Sequence, residues 1–148
     1  MGSAYQGYDL IGDVHGCALS LQLLLKKLGY SKKSGVYQHP KRQAVFLGDI
    51  VDRGPRIREA LHIVRDMVDA GHARIVMGNH EFNYLSYLTP GLPGSGMEYL
   101  RTHNRRHLRT LNETLEQFAH YPNEEQAFLQ WIKEMPLLLA CEQFRVVH

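Results

Sequence analysis

The chain has 148 residues, of which 44% are hydrophobic, so its length suits one domain with a packed core. Seventeen Lys and Arg against 15 Asp and Glu leave a net charge of +2, which favours no charged partner. No apolar run approaches the roughly 18 residues that cross a bilayer, and the N-terminal stretch lacks signal-peptide features. The two cysteines, Cys17 and Cys141, form no CxxC pair. We therefore expect one cytoplasmic domain over 1–148, with free thiols and no membrane contact.

The first half of the chain predicts alternating strands and helices. Short apolar runs predict strands at 8–11, 44–47 and 73–77, and apolar residues at helical spacing predict a helix after each of the first two. The polar stretch 31–42 is typical of an exposed loop or short hairpin. This order predicts an α/β fold with a parallel sheet, right-handed crossovers and both faces covered.

The second half predicts mainly helices. One begins near "GNHEFNYLSYL", and a further helix covers roughly 123–134. Between them we expect a long amphipathic helix marked by Leu100, Leu108, Leu111, Leu115 and Phe118. Its Arg101, Arg105 and Arg109 would share one face, which a solvated surface explains better than a nucleic-acid contact. The final "PLLLACEQFRVVH" predicts two strands around a turn near Glu142.

Polar stretches close the three predicted strands: "GDVHG" (12–16), "GDIVDRGP" (48–55) and "GNHE" (78–81). Ligands of such sheets bind beyond the carboxyl ends of the strands, so these residues should meet there. Their carboxylates and imidazoles suit Mn²⁺, Fe or Zn²⁺ better than Ca²⁺. In an extended segment Asp13 and His15 would point to one side and share an ion, and Asp49 is placed to bridge two. Two metal ions about 3.5–4 Å apart clamp a phosphoryl group and activate water, which is the chemistry of phosphoester hydrolysis.

In this order and spacing, "GDVHG", "GDIVDRG" and "GNHE" resemble the N-terminal signatures of the calcineurin-like metallophosphoesterases. "VDRG" and "GNHE" are similar to those of its phosphoprotein phosphatase branch, which includes bacterial serine/threonine phosphatases and symmetrical diadenosine tetraphosphate hydrolases. The resemblance covers most of this chain but only the first half of the family's domain. It implies the N-terminal portion of a four-layer sandwich, in which helices flank a mixed β-sheet, and two divalent ions, Mn²⁺ before Fe or Zn²⁺.

The resemblance implies the metal ligands residue by residue. The first ion would be held by Asp13, His15 and Asp49, and the second by Asp49 and Asn79. His148, which closes "RVVH", is positioned like a later metal histidine of the family. The family's last metal histidine has no counterpart here, so we expect a chain truncated at its C-terminal end, with a weaker second ion.

Catalytic and substrate-binding roles also follow from the resemblance. His80 would be the general acid, with Asp52 orienting it. Arg53 and Asn79 would bind the substrate phosphate, and Glu81 would support the site.

The function implied is hydrolysis of a phosphate ester or phosphoanhydride by a metal-bound hydroxide, without a covalent intermediate. A phosphoprotein, a dinucleoside polyphosphate and another phosphoester stay open as substrates, and nucleic acid is not favoured. The alternative is a non-catalytic fragment that binds phosphate or a partner and retains the fold.

Overall fold

The computed structural model describes residues 5–148; residues 1–4, part of the N-terminal stretch considered for a signal peptide, lie outside the described residues. The strands are β1 Gly7–Ile11, β2 Ser31–Lys33, β3 Val36–Gln38, β4 Arg42–Phe46, β5 Ala73–Ile75, β6 Leu138–Ala140 and β7 Arg145–Val147. The helices are α1 Ala18–Lys27, α2 Ile57–Asp69, α3 Asn79–Leu88, α4 Arg105–Phe118 and α5 Pro122–Lys133. None of the helices in this part of the chain is long and apolar enough to cross a bilayer.

The central sheet is parallel, with the strand order β1-β4-β5. Ile11 pairs with Phe46, and Phe46 pairs with Ile75, so the three strands end at one level. The α/β class and the predicted strand–helix–strand order are confirmed. β5 is shorter than predicted because the N–H of Met77 donates to the carbonyl of Pro136, 2.9 Å away, rather than continuing the ladder.

The two faces of this sheet are covered differently. Phe46 faces the helices and is fully buried in their core. Val45 and Val76 face the antiparallel β6–β7 hairpin, whose Leu139 and Val146 pack on them. The hairpin covers only part of its face, and β1 accordingly leaves Leu10 55% exposed. The stretch 31–42 forms the predicted hairpin, β2–β3.

The long helix begins later than predicted. Asn104 caps α4, and its side chain accepts a hydrogen bond from the N–H of His107 at 2.8 Å. The backbone N–H groups of Leu100 and Arg101 instead donate to carbonyls of α3 and of the residue after it. The prediction that Leu100 belongs to the helix, and that Arg101 shares a helical face with Arg105 and Arg109, is therefore wrong.

A charged contact fastens α5 to α2. Arg58 of α2 donates to Glu124 of α5 at 2.6 Å, and its guanidinium lies 3.3 Å from the ring centroid of Tyr121. His62 also contacts Glu124. Desolvation would raise the pKa of Glu124, but the hydrogen bonds from Arg58 and His62 outweigh it and hold that pKa below its ordinary value.

Candidate metal centre and active site

The loops that follow β1 and β4 are joined by backbone hydrogen bonds, and the loop after β5 packs against them. The N–H groups of Val14 and His15 both donate to the carbonyl of Asp49, at 3.0 and 2.9 Å. Gly78 lies so close to Asp49 that a Cβ atom there would collide with the carboxylate. The first and third loops thus both press on Asp49, as the strand order predicts.

Backbone strain is concentrated in these loops. His15, Asp49, Asp52 and Arg53 have φ values of +42°, +57°, +70° and +69°, in the left-handed region that non-glycine residues rarely adopt. Such conformations persist where the surrounding structure holds them, and they often mark functional sites. His15 therefore does not reach Asp13 by the extended alternation that we predicted. The turn itself brings the two together, with His15 Nε2 3.6 Å from Asp13 Oδ2.

Glu81 supports the loop that carries Asp49. Its fully buried carboxylate accepts backbone hydrogen bonds from Gly78, Asp49, Ile50 and Val51, at 3.1, 2.7, 2.6 and 3.3 Å. Burial raises the pKa of Glu81, while the N–H donors of Ile50 and Asp49 oppose that rise. The geometry agrees with the supporting role predicted for Glu81, because its contacts are made with backbone rather than with the open site.

We call Asp13, His15 and Asp49 the His15 group. The Nδ1 atom of His15 lies 2.7 Å from the carbonyl of Val51, which can only accept, so Nδ1 carries the proton and Nε2 presents its lone pair. Nε2 is buried, has no hydrogen-bond partner among residues 5–148 and faces Asp49 Oδ2 at 3.8 Å. Acceptors brought together in this way repel unless a cation or a proton lies between them, so the group fits a divalent ion.

We call Asp49, Asn79 and His148 the His148 group. Its histidine is arranged in the same way: Nδ1 donates to the carbonyl of Leu47 at 2.6 Å. Nε2 then faces Asn79 Oδ1 at 2.8 Å and Asp49 Oδ2 at 3.5 Å. Every predicted metal ligand thus lies in one of two groups that share Asp49. A carboxylate oxygen of Asp13 also lies within 4.8 Å of the ligand atoms of Asp49 and His148, so Asp13 is close to both groups.

His80 and Asp52 form a buried pair beside the His15 group. His80 Nδ1 lies 2.6 Å from Asp52 Oδ2, and its Nε2 lies 4.0 Å from Asp49 Oδ2. When Nδ1–H donates its hydrogen bond to Asp52, Nε2 has two possible roles. It can donate a proton if it carries one, or bind a metal ion if it does not. Ligand atoms of His15, Asp49 and His80 lie within 4.8 Å of one another, which leaves both roles geometrically open.

One residue that contacts this pair was not predicted from the sequence. Thr114 of α4 is fully buried, donates to Asp52 Oδ1 at 2.6 Å and accepts from the N–H of Asp52 at 2.9 Å. The available signal was a polar residue within the apolar stripe of α4, three residues after Leu111 and four before Phe118. Arg53, by contrast, is exposed and makes no hydrogen bond or ion pair with residues 5–148, so its guanidinium is available to a ligand.

This chain matches a family of known proteins. The family model for calcineurin-like phosphoesterases matches residues 8–141. The chain belongs to this family. The resemblance predicted from the three motifs, to the superfamily and its phosphoprotein phosphatase branch, is confirmed.

Curated relatives carry the name asymmetrical bis(5'-nucleosyl)-tetraphosphatase PrpE. That of Oceanobacillus iheyensis (strain DSM 14371 / HTE831) is 51% identical over 73 residues, 49% of this chain and 29% of that protein. That of Geobacillus sp. (strain WCH70) is 32% identical over 145 residues, 94% of this chain and 54% of that protein. The chain therefore spans about half or less of the length of these relatives. The motifs resembled those of bacterial serine/threonine phosphatases and symmetrical diadenosine tetraphosphate hydrolases, whereas these relatives are named asymmetrical.

Solved structures share the fold. A metallophosphoesterase from Sphaerobacter thermophilus aligns over 95% of this chain and 45% of its own, with 25% identity and a TM-score of 0.54. A cold-active protein tyrosine phosphatase aligns over all of this chain and 43% of its own, with 22% identity and a TM-score of 0.64. The predicted metallophosphoesterase fold is confirmed.

Proposed function

We propose that the chain carries the metal-binding half of a hydrolase that cleaves a phosphoanhydride or phosphate ester with the help of two divalent ions. The observation that carries the proposal is the approach of two imidazole lone pairs, on His15 and His148, to the single carboxylate of Asp49. Neither approach is favourable without positive charge between the atoms. A non-catalytic binding fragment would have no need to keep this arrangement.

The two groups correspond to the two ion sites. Asp13, His15 and Asp49 would hold one ion, and Asp49, Asn79 and His148 the other. Mixed carboxylate, imidazole and amide donors favour Mn²⁺, with Fe or Zn²⁺ as alternatives. Ions bound there would polarise phosphoryl oxygens and activate water for attack.

The remaining residues would handle the phosphate and the leaving group. Arg53 is exposed beside the site, so its planar guanidinium would pair with phosphate oxygens, and Asn79 would contact them as well. In its imidazolium form, His80 would donate its Nε2 proton to the departing oxygen, while its Nδ1–H keeps the hydrogen bond to Asp52.

The substrate class that we favour is a dinucleoside polyphosphate. The support is the name shared by the relatives, although about half or more of the length of each relative lies beyond the aligned part. A symmetrical cut of a dinucleoside tetraphosphate gives two diphosphates, whereas an asymmetrical cut gives a mono- and a triphosphate. Chromatography of the products of the Mn²⁺-loaded chain, used in excess over substrate, separates the two outcomes. We expect the unequal pair. Two diphosphates would contradict asymmetric cleavage, and an uncleaved dinucleoside tetraphosphate would contradict the substrate class.

The decisive test of the mechanism uses leaving groups of different quality. His80→Asn should lower kcat on an alkyl phosphate by about a hundredfold, and far less on nitrophenyl phosphate, whose leaving group needs little protonation. His120→Asn, at an exposed histidine without an assigned role, is the matched control. An equal loss on both substrates would show that His80 binds metal or supports the fold instead.

A further inference from the structure

Thr114 holds Asp52 at two points. Its hydroxyl donates to Asp52 Oδ1 at 2.6 Å and accepts from the N–H of the same residue at 2.9 Å. These two hydrogen bonds therefore fix both the backbone and the carboxylate of Asp52. Both residues are fully buried, so water cannot replace either hydrogen bond.

The two oxygens of Asp52 have separate tasks. Oδ1 accepts from Thr114, and Oδ2 accepts from His80 Nδ1 at 2.6 Å. A carboxylate held at one oxygen cannot turn about its last side-chain bond without losing that contact. The bond to Thr114 thus fixes the direction in which Oδ2 meets the imidazole of His80.

The helix that carries Thr114 also holds the rest of the loop. One turn further along α4, Gln117 accepts from the N–H of Ile57 at 2.6 Å and donates to the carbonyl of Gly54 at 2.9 Å. Asp52 has φ of +70°, a conformation that must be held by its surroundings. α4 therefore fixes the middle and the C-terminal end of this loop.

We infer that Thr114 is a positioning residue for the reaction: through Asp52 it sets the tautomer and the orientation of His80. The inference deepens the proposed function and rests on it, since His80 is the proposed general acid. Sequence motifs do not contain Thr114, because it lies 62 residues beyond Asp52 on another element.

The first experiment reads the hydrogen bond directly, without metal or substrate. In NMR spectra, an imidazole N–H donated to a buried carboxylate gives a proton resonance shifted far downfield. We expect this His80 Nδ1 resonance in the wild-type chain and its loss or upfield shift in Thr114→Val. Thr114→Ser restores the hydroxyl and should restore the resonance. Thr110→Val is the matched control, because Thr110 lies one turn earlier, is exposed and bonds only to the carbonyl of Arg106.

The second experiment uses the Mn²⁺-loaded chain in excess over substrate. Thr114→Val should lower the maximal single-turnover rate constant on an alkyl phosphate about tenfold more than on nitrophenyl phosphate. The chain concentration that gives half of this maximum should be unchanged, and Thr114→Ser should recover most of the loss. A cooperative thermal transition in Thr114→Val shows that the variant is folded. If it fails to fold, Thr114→Ser against a Thr114→Ala variant makes the same comparison.

The outcomes separate this inference from the proposed function. An unchanged His80 resonance and unchanged kinetics in Thr114→Val overturn the positioning role, even if His80→Asn shows the leaving-group effect. An equal loss on both substrates in His80→Asn overturns the acid role instead, while the NMR comparison still tests whether Thr114 orients the ring. A lost resonance together with a selective loss of alkyl phosphate hydrolysis supports both.

Discussion

The His15 and His148 groups use the same chemistry but differ in rigidity. In each, the Nδ1–H of a histidine donates a hydrogen bond to a backbone carbonyl, and Nε2 faces Asp49. The side chain of His15 is 12% exposed, and its backbone is bonded to Asp49, whereas the side chain of His148 is 26% exposed. A ligand that is already fixed loses less conformational entropy when it binds an ion. We therefore expect the His15 group to bind its ion more tightly.

The largest effect should come from the residue that the two groups share. Asp49→Asn removes the negative charge between them, so Mn²⁺ affinity should fall at least about a hundredfold, or roughly 2.7 kcal/mol, in both groups. Isothermal titration with Mn²⁺ measures this. Asp52→Asn, three residues away and bonded to His80 rather than to a proposed ligand, should change affinity less than about threefold. Equal losses in the two variants would refute the separate roles of these aspartates.

The next largest effect should come from replacing Glu81, whose carboxylate supports both groups. Glu81→Gln puts an amide N–H₂ among four backbone donors, so it should destabilise the fold by about 3 kcal/mol in urea unfolding. Glu113→Gln, at an exposed carboxylate of α4, should stay within about 0.5 kcal/mol of wild type. Because Asp49 belongs to both groups, Mn²⁺ binding should weaken in both. Weakening in one group alone would mean that Glu81 does not support them together.

The comparison between the two groups is tested directly by substituting the histidine of one group at a time. His15→Asn should remove the tighter Mn²⁺ step, with a loss of about tenfold or more, because it takes a preorganised donor from that ion. His148→Asn should leave the tighter step unchanged and weaken only the second. Calorimetric titrations of both variants, fitted to two steps, give the answer. If His148→Asn removes the tighter step, the ranking of the two groups is reversed.

The smallest effect should come from a contact that involves no residue of either group, the one between α2 and α5. Hydrogen bonds from Arg58 and His62 hold the pKa of Glu124 below its ordinary 4.5, so the folded state keeps the charged form more readily than the unfolded chain. This contribution is present above pH 4.5 and is lost as the pH falls through the lowered pKa. Glu124→Gln should therefore cost less than about 1 kcal/mol at pH 7, and this cost should shrink in acid. Thermal unfolding across pH measures it, and Mn²⁺ affinity should not change.

Local sequence patterns predicted the sheet and the proximity of its motif residues, whose roles stay predictions. The apolar runs of β1, β4 and β5 placed the motif residues at one edge, and the structure brings Asp13, His15, Asp49, Asn79 and His148 together there. The features that local patterns did not predict depend on contacts between residues that are far apart in the sequence. Leu100 has helical spacing but is held along α3, and Thr114 acquires its role only where α4 crosses the loop after β4.

The hydrogen bond from His148 to Leu47 closes a span of 101 residues, whereas that from His15 to Val51 closes a span of 36. For an otherwise unfolded chain, the longer closure costs about 1 kcal/mol more in entropy. During synthesis the ribosome also releases His148 long after every residue of the His15 group. The order of assembly is therefore built into the order of the sequence. An ion bound as proposed would therefore find all the ligands of the His15 group on the nascent chain before His148 arrives.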